Sequence, residues 1–200
     1  MTVRIIIMCK APMAGAVKTR LMSSYSADQA AQLHMAMAST VIKRAKRLFD
    51  SVVIAADDIE HPFFNRFELP LLAQGEGDLG QRMQKQMQYA FSDGASAVLL
   101  LGTDSPHMDD ERLLNAVEGL QTSDVVIGPV EDGGYDLLAF SKLYTLFDGV
   151  EWSSGQVLAQ TLSNIHQQGF TEILLPFIFD VDFPEDIERA IEHGWKVTLP

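Results

Sequence analysis

The sequence predicts an α/β protein of three layers, in which a mixed, mostly parallel central sheet lies between two layers of helices. Short apolar runs typical of buried strands alternate with amphipathic helical segments along the whole chain. This alternation is the pattern of βαβ units, which build mostly parallel sheets covered by helices on both faces. The 200 residues contain no internal repeat and no linker, so we expect one domain spanning residues 1–200.

Seven apolar runs are the predicted strands, at residues 3–8, 51–56, 69–73, 97–101, 125–127, 135–140 and 173–178. The run AVLLL at 97–101 is the most apolar of them, so we expect it at the centre of the sheet. The run at 135–140 follows a Gly-Gly pair, which favours a tight turn. We therefore expect this strand to be antiparallel to its neighbour.

Helices are predicted by capping residues and by apolar residues at helical spacing. Ser26 and Gln29 have the spacing of a capping box and open a helix that runs to about residue 49. A second helix carries an apolar stripe that begins at Leu79. The remaining helices are predicted at 109–120, from the segment Trp152-Ser-Ser-Gly onward, and after Pro184.

The composition favours a small anionic ligand over nucleic acid. The net charge is −12, yet residues 1–50 hold eight Lys and Arg against two acids. Nucleic-acid binding requires a broad basic surface, so we expect no nucleic-acid partner. The single cysteine, Cys9, excludes an internal disulfide and suits a reducing compartment. No apolar run approaches the roughly 20 residues that span a bilayer, and we expect a cytoplasmic protein without a membrane span.

The segment KAPMAGAVKTRL at residues 10–21 has the composition of a phosphate-binding loop. Its proline and glycine permit a tight turn that brings backbone N–H groups close to a ligand. In open α/β sheets, phosphates bind at the carboxyl end of the first strand, which is where this segment lies. The same residues are also compatible with a surface turn that carries a solvated basic cluster. The candidate phosphate ligands are Lys10, Gly15, Lys18, Thr19 and Arg20.

Three more polar clusters follow predicted strands, at residues 102–106, 128–135 and 180–182. Because the carboxyl ends of parallel strands meet at one edge of a sheet, we expect their carboxylates near the cationic loop. Nucleotide phosphates commonly share a Mg²⁺ or Mn²⁺ ion with one or two protein carboxylates. We predict Asp104 and Asp182 as the metal ligands, with Asp180 and Asp132 in reserve. An isolated Asp after a strand is otherwise a helix cap or a turn former.

Five segments resemble, in order, the motifs of the DUF2064 family: KAPMAGAVKTRL, LGTDSP, GPVEDGGYDLLAF, WSSGQVL and DVDFPEDIERA. Members of this family are described as GT-A-type glycosyltransferases, related to nucleotide-diphospho-sugar transferases. The resemblance covers nearly the whole chain and implies a GT-A-like fold. Two departures stand out. Met13-Ala14 replaces the second proline usual before the loop glycine, and the loop lacks the G-x-G opening of sugar nucleotidyltransferases.

The resemblance also implies roles for individual residues. The loop would hold the donor phosphates, Asp104 would be the metal-binding aspartate after the central strand, and Asp182 would be the second ligand. Further donor contacts would come from Gln74, Gly80 and Arg82. The acceptor side would be formed by Asp132, Gly133, Gly134, Tyr135 and Trp152, although Tyr135 and Trp152 equally suit core packing. The catalytic candidates are Asp104, Asp132 and Lys18.

Together these features predict a metal-dependent transferase that uses a nucleotide or nucleotide-sugar donor and a small-molecule acceptor. The first interpretation is glycosyl transfer from a nucleotide-diphospho-sugar. The alternative is nucleotidyl transfer from a nucleoside triphosphate to a phosphorylated or carboxylated acceptor, with release of pyrophosphate. A third interpretation, from another class, is a nucleotide-binding module without turnover. It accounts less well for the two predicted metal ligands, which a binding module does not need.

Overall fold

Seven strands form one sheet in the computed structural model, which describes residues 2–200. The strands are β1 Val3–Cys9, β2 Val52–Ala56, β3 Leu71–Ala73, β4 Ala97–Leu101, β5 Val125–Pro129, β6 Tyr135–Phe140 and β7 Glu172–Leu174. Their order across the sheet is β3-β2-β1-β4-β6-β5-β7. Strand β6 pairs antiparallel with β4 and β5, and the other pairs are parallel. The predicted fold class and the reversed direction of β6 are therefore confirmed.

Five helices cover the sheet: α1 Ala27–Leu48, α2 Leu79–Ser92, α3 Asp110–Gly119, α4 Val157–Gln167 and α5 Pro184–Glu192. The predicted capping box of α1 is present. The backbone N–H of Gln29 donates to Ser26 Oγ, and Gln29 Oε1 accepts from the backbone N–H of Ser26. Asp78 and Gln81 form the same arrangement at α2. Among residues 2–200, no helix is long and apolar enough to cross a membrane.

The helices lie on both faces of the sheet because successive strand residues point to opposite sides. On one face, Ile5 and Ile7 of β1 share a core with α1 and α3. On the other face, Ile6 belongs to the core formed with α2 and α4. A third cluster joins the first turns of α1 to α5, with Val181 fully buried at its centre. This cluster fixes the chain after β7 against the loop after β1.

Two predicted boundaries were wrong by more than two residues. Strand β7 ends at Leu174 instead of residue 178, because Pro176 has no N–H for the ladder and the chain leaves the sheet there. Beyond β7, an isolated parallel bridge pairs Ile178 with Val130, the residue that follows β5. Helix α4 begins at Val157, five residues after Trp152, so the Trp-Ser-Ser-Gly segment is a turn that leads into the helix.

Candidate active site

A cavity of about 870 Å³ opens at the carboxyl ends of β1 and β4, the two central strands. Its walls are the loop after β1, the first turn of α2, the loop after β4, the turn between β5 and β6, and the segment before α4. The charged side chains that line it are Lys10, Lys18, Arg20, Asp78, Arg82, Asp104, Asp132, Asp136, Asp180 and Asp182. The sheet thus brings together cations and carboxylates that are up to 172 positions apart in the sequence, from Lys10 to Asp182.

Lys18 lies at the centre of this charge cluster, with only 6% of its side chain exposed. Its Nζ donates to the Val181 carbonyl at 2.8 Å and to Asp182 Oδ1 at 2.9 Å, and it lies 2.8 Å from Asp104 Oδ1. An ammonium has three hydrogens, so these three oxygens use all of them. Burial works to lower the pKa of Lys18, but the carboxylates of Asp104 and Asp182 outweigh it and raise that pKa above its usual value.

The backbone of the loop is held by side chains of other segments. The Ala11 N–H donates to Asp57 Oδ1 at 2.6 Å, and the Lys10 carbonyl lies 2.9 Å from Nε2 of His34. Lys18 itself has a left-handed backbone, with φ 47°, which is uncommon for a residue with a side chain. Gly15, also at positive φ, is at the exposed tip of the loop and does not line the cavity.

Three carboxylates face the loop from the other side. Asp182 is 30% exposed, and its second oxygen binds Arg20 Nη1 at 2.7 Å. Asp104 is 45% exposed; burial works to raise its pKa, but Lys18 outweighs this and the pKa lies below its usual value. Asp180 accepts from Ser105 Oγ at 2.6 Å. Burial and the nearby Asp104 charge raise the pKa of Asp180 to about 7.

This set of donors suits a hard divalent cation, since Mg²⁺ and Mn²⁺ prefer carboxylate oxygens. The structure brings the predicted ligands Asp104 and Asp182 together on the Lys18 ammonium, which offsets part of their negative charge. The position is therefore complementary to positive charge. Among residues 2–200, no group of three or more His, Cys, Asp and Glu side chains is arranged as a preformed metal site.

The three residues near α2 that were predicted to contact the nucleotide donor lie in different surroundings. Arg82 lines the cavity, and its Nη1 donates to Gln74 Oε1 at 3.0 Å. The Gln74 side chain is buried, and its amide nitrogen donates to the carbonyls of Cys9 and Ala55, so it holds Arg82 and the ends of two strands. Gly80 does not line the cavity, because a Cβ there would lie 2.7 Å from the Trp152 ring.

The residues predicted for the acceptor side lie in the turn between β5 and β6 and in the segment before α4. Asp132, Gly134, Tyr135 and Trp152 line the cavity. Asp132 Oδ1 accepts the Gly134 N–H at 2.9 Å, which fixes the turn between β5 and β6. The Tyr135 hydroxyl is 3.4 Å from Thr161 Oγ1, and burial raises its pKa. Gly133 packs against the backbone of the segment before α4, where a Cβ would meet a carbonyl oxygen at 2.3 Å.

A family model described as "Uncharacterized protein conserved in bacteria (DUF2064)" matches residues 40–154. A solved structure from Desulfovibrio desulfuricans G20, described as a candidate nucleotide-diphospho-sugar transferase, is 33% identical in sequence. The match covers 90% of this chain and 82% of that one, with a TM-score of 0.85. The chain belongs to the DUF2064 family. No curated protein matches it in sequence.

More distant structures share the fold of this DUF2064 protein. CMP:2-keto-3-deoxy-manno-octonic acid synthetase, solved with CTP, is 13% identical with a TM-score of 0.62, over 95% of this chain and 97% of that one. A cytidylyltransferase from Leptospira borgpetersenii is 16% identical with a TM-score of 0.61, over 94% and 84%. The DUF2064 chain therefore has the α/β fold of nucleotide-diphospho-sugar transferases and cytidylyltransferases.

Sequence reasoning missed two features of the site. His34 lines the cavity from helix α1 and orders the loop through the Lys10 carbonyl. Its signal was a polar residue at a buried position of the α1 stripe, between Leu33 and Met37. Asp136, on β6 beneath the cavity, forms a buried ion pair with Arg112. Its signal was a charged residue inside an otherwise apolar strand.

Proposed function

We propose that this DUF2064 protein is a metal-dependent transferase that moves a glycosyl group from a nucleotide-diphospho-sugar to a small acceptor. One observation carries the proposal: cations and carboxylates face each other across one cavity at the carboxyl ends of the central strands. The 33% identical relative, described as a candidate nucleotide-diphospho-sugar transferase, supports the choice of donor.

The donor would lie with its diphosphate among the cations. Lys10 and Arg20 approach from the loop after β1, and Arg82 approaches from α2. Three positive charges from two directions suit a diphosphate that carries charge on both phosphates. Asp104 and Asp182, with Asp180 beside them, would hold Mg²⁺ or Mn²⁺. That ion would supply positive charge next to the diphosphate as it leaves.

The acceptor would lie near Tyr135 and Trp152, which line the cavity. Asp132 is the candidate general base there, because the Gly134 N–H holds one of its oxygens and leaves the other for the acceptor. The acceptor hydroxyl attacks C1 of the sugar and gives its proton to Asp132. The bond between C1 and the diphosphate oxygen breaks, and the nucleoside diphosphate leaves with that oxygen.

Nucleotidyl transfer is the second candidate, and the fold neighbours favour it specifically, since they include a synthetase solved with CTP and a cytidylyltransferase. A phosphorylated or carboxylated acceptor would attack the α-phosphorus of a nucleoside triphosphate, and pyrophosphate would leave. Such an acceptor is already an anion, so this reaction needs no general base. The two reactions therefore place different demands on Asp132.

The test is incubation with panels of nucleotide sugars and nucleoside triphosphates, with Mn²⁺ and mixed acceptors, read by mass spectrometry. Release of a nucleoside diphosphate together with a glycosylated acceptor supports the proposal. Release of pyrophosphate with a nucleotidylated acceptor selects the second candidate instead. Nucleotide binding without any product in either panel would overturn both and leave a binding module.

Asp132→Asn provides an independent check on the reaction type. Loss of a general base lowers glycosyl transfer by about 100-fold or more. The same change should alter nucleotidyl transfer by less than about threefold, because no proton is removed. The control is Asp148→Asn, an exposed acid outside the cavity, which should leave both activities unchanged.

A further inference from the structure

Lys18, the cation nearest the predicted metal ligands, has no hydrogen available for a phosphate in this arrangement. The three oxygens around Lys18 Nζ, from Val181, Asp182 and Asp104, use all three of its hydrogens. The other cations of the cavity are less constrained: the Arg20 side chain is 58% exposed, and Lys10 is an exposed residue. Lys18 therefore serves the carboxylates in this state of the protein.

Lys18 and a divalent cation would compete for the same oxygens. Oδ1 of Asp104 and Oδ1 of Asp182 lie 2.8 and 2.9 Å from the one nitrogen. A metal ion bound to both oxygens at about 2.1 Å would stand in the space that Nζ fills. Two positive charges at that separation repel each other strongly, so the ammonium and the metal ion exclude one another.

We infer that Lys18 is a tethered counter-ion, which metal and nucleotide displace together and which then binds the donor phosphates. The inference rests on the proposed function, because it assigns a second position to a residue of the same site. In the free protein, the ammonium neutralises the carboxylates and keeps metal affinity low. When a diphosphate enters, it offers new acceptors for Nζ, and the vacated oxygens can then bind the metal ion.

The surroundings of Lys18 permit this exchange. Residues 13–16 of the loop are exposed, and the buried Lys18 side chain lines the cavity, so Nζ can turn towards a ligand there without displacing a packed element. Asp182 keeps Arg20 as a partner after Lys18 leaves. Asp104 and Asp180 keep no cation within the cluster, so their mutual repulsion favours a divalent ion in place of the ammonium.

The inference predicts reciprocal coupling, since two ligands that displace the same group must raise each other's affinity equally. We would measure Mn²⁺ binding to the full chain by electron paramagnetic resonance, with and without UDP, GDP, ADP or CDP. In the parent protein, the best-bound diphosphate should raise Mn²⁺ affinity by about tenfold. In Lys18→Met, Mn²⁺ should bind about tenfold tighter than in the parent without any nucleotide, and the nucleotide should add little.

Lys10→Met is the matched control, since it removes the same charge from the same cavity but leaves the Lys18 contacts intact. Because Lys10 is itself a proposed contact of the diphosphate, Lys10→Met should weaken nucleotide binding but leave Mn²⁺ affinity without nucleotide at the parent value. Lys18→Gln, with a neutral amide of similar length, is the second variant if Lys18→Met fails to fold, and it should show the same tighter Mn²⁺ binding.

The outcomes separate this inference from the proposed function. If folded Lys18 variants bind Mn²⁺ no more tightly than the parent, while the parent still couples Mn²⁺ to nucleotide, the counter-ion role is rejected and the metal site stands. If no variant binds Mn²⁺ with or without a diphosphate, the metal dependence in the proposed function fails, and the exchange fails with it.

Discussion

Two ion-pair clusters lie within one cavity region of this protein, with the same distances and different exposure to solvent. The Arg112 Nη2–Asp136 Oδ1 pair and the Lys18 Nζ–Asp104 Oδ1 pair both measure 2.8 Å. The Arg112 and Asp136 side chains are only 5% and 1% exposed, whereas Asp104 is 45% exposed. The N–O distance therefore does not distinguish the buried pair from the pair that we propose to be functional, whereas the exposure of the carboxylate does.

The buried pair is closed to any further partner. Two nitrogens of Arg112 bind both oxygens of Asp136, and the guanidinium also donates to the carbonyls of Pro129 and Pro176. Gly128 leaves the space for this arrangement, since a Cβ there would lie 2.3 Å from Asp136 Oδ1. The pair joins α3 to β5, β6 and the chain after β7. It stabilises the floor of the site and takes no direct part in its chemistry.

Breaking the buried pair should have the largest effect on stability. Asp136→Ala leaves the Arg112 charge buried without its carboxylate, and we expect a loss of about 3–5 kcal/mol in the free energy of unfolding. Denaturant unfolding followed by circular dichroism measures it. The control is Asp110→Ala, which removes solvent-accessible pairs with Arg44 and Arg47 and should cost less than about 1 kcal/mol.

The double variant Arg112→Met/Asp136→Leu sharpens the same comparison. It removes both charges and fills the volume with apolar atoms, so it should be more stable than Asp136→Ala. Equal stability of the double variant and Asp136→Ala would mean that the lost backbone contacts of Arg112, and not the unpaired charge, set the cost.

Asp104→Asn tests the cluster around Lys18, where we expect a large loss of turnover and a small loss of stability. Turnover with the donor identified by the panels should fall by about 100- to 1,000-fold, because the charge that would hold the metal ion is lost. The free energy of unfolding should change by less than about 1 kcal/mol, since the side chain is half exposed and Lys18 keeps Asp182. A large loss of stability with little loss of turnover would make Asp104 a structural residue like Asp136.

Two buried glutamines allow a test with a smaller expected effect, which separates donor binding from stability. Gln74→Ala removes the acceptor of Arg82, so KM for the donor should rise by about three- to tenfold, with a loss of roughly 1–3 kcal/mol in stability. Gln86 is the matched control: it is also buried, and its side-chain hydrogen bonds go to the carbonyls of Ala73 and Gln74 and not to an arginine. Gln86→Ala should lose comparable stability and leave KM unchanged; an equal rise in both variants would deny Gln74 a positioning role.

A pH-dependent effect concerns His107, which follows the Asp104 loop and stacks on Phe179 with ring centroids 3.9 Å apart. Burial, with the charges of His193, Arg189, Arg112 and Arg44, lowers the pKa of His107 to about 4. The unfolded chain takes up this proton near pH 6.5. His107 therefore contributes stability that is present above about pH 6.5 and is lost as the pH falls towards 4.

His107→Gln removes this titration. The parent should lose more stability than the variant between pH 6.5 and 4, as measured by urea unfolding at each pH. Parallel curves for the two proteins over that range would show that His107 does not titrate differently on folding.

Most of the fold could be predicted from the sequence because its determinants are local. The apolar runs, the capping box at Ser26 and the Gly-Gly turn before β6 each act within a few residues. They fix the elements, and the rules for parallel sheets then place the strand-end clusters on one edge. The prediction failed at the end of β7, where it read Ile173–Ile178 as one apolar run and gave no weight to Pro176.

The sequence by itself determined which charges meet at that edge: the cations of residues 10–20 with Asp104 and Asp182. Only the tertiary structure decided what each of them does there. Gln74 is turned inward beneath Arg82, and Lys18 is held by carboxylates 86 and 164 residues away instead of being free for a phosphate. The physical reason is that patterns along the chain set the direction of the backbone. The partner of a side chain depends on how segments that are distant in the sequence pack together, and no local sequence pattern records that packing.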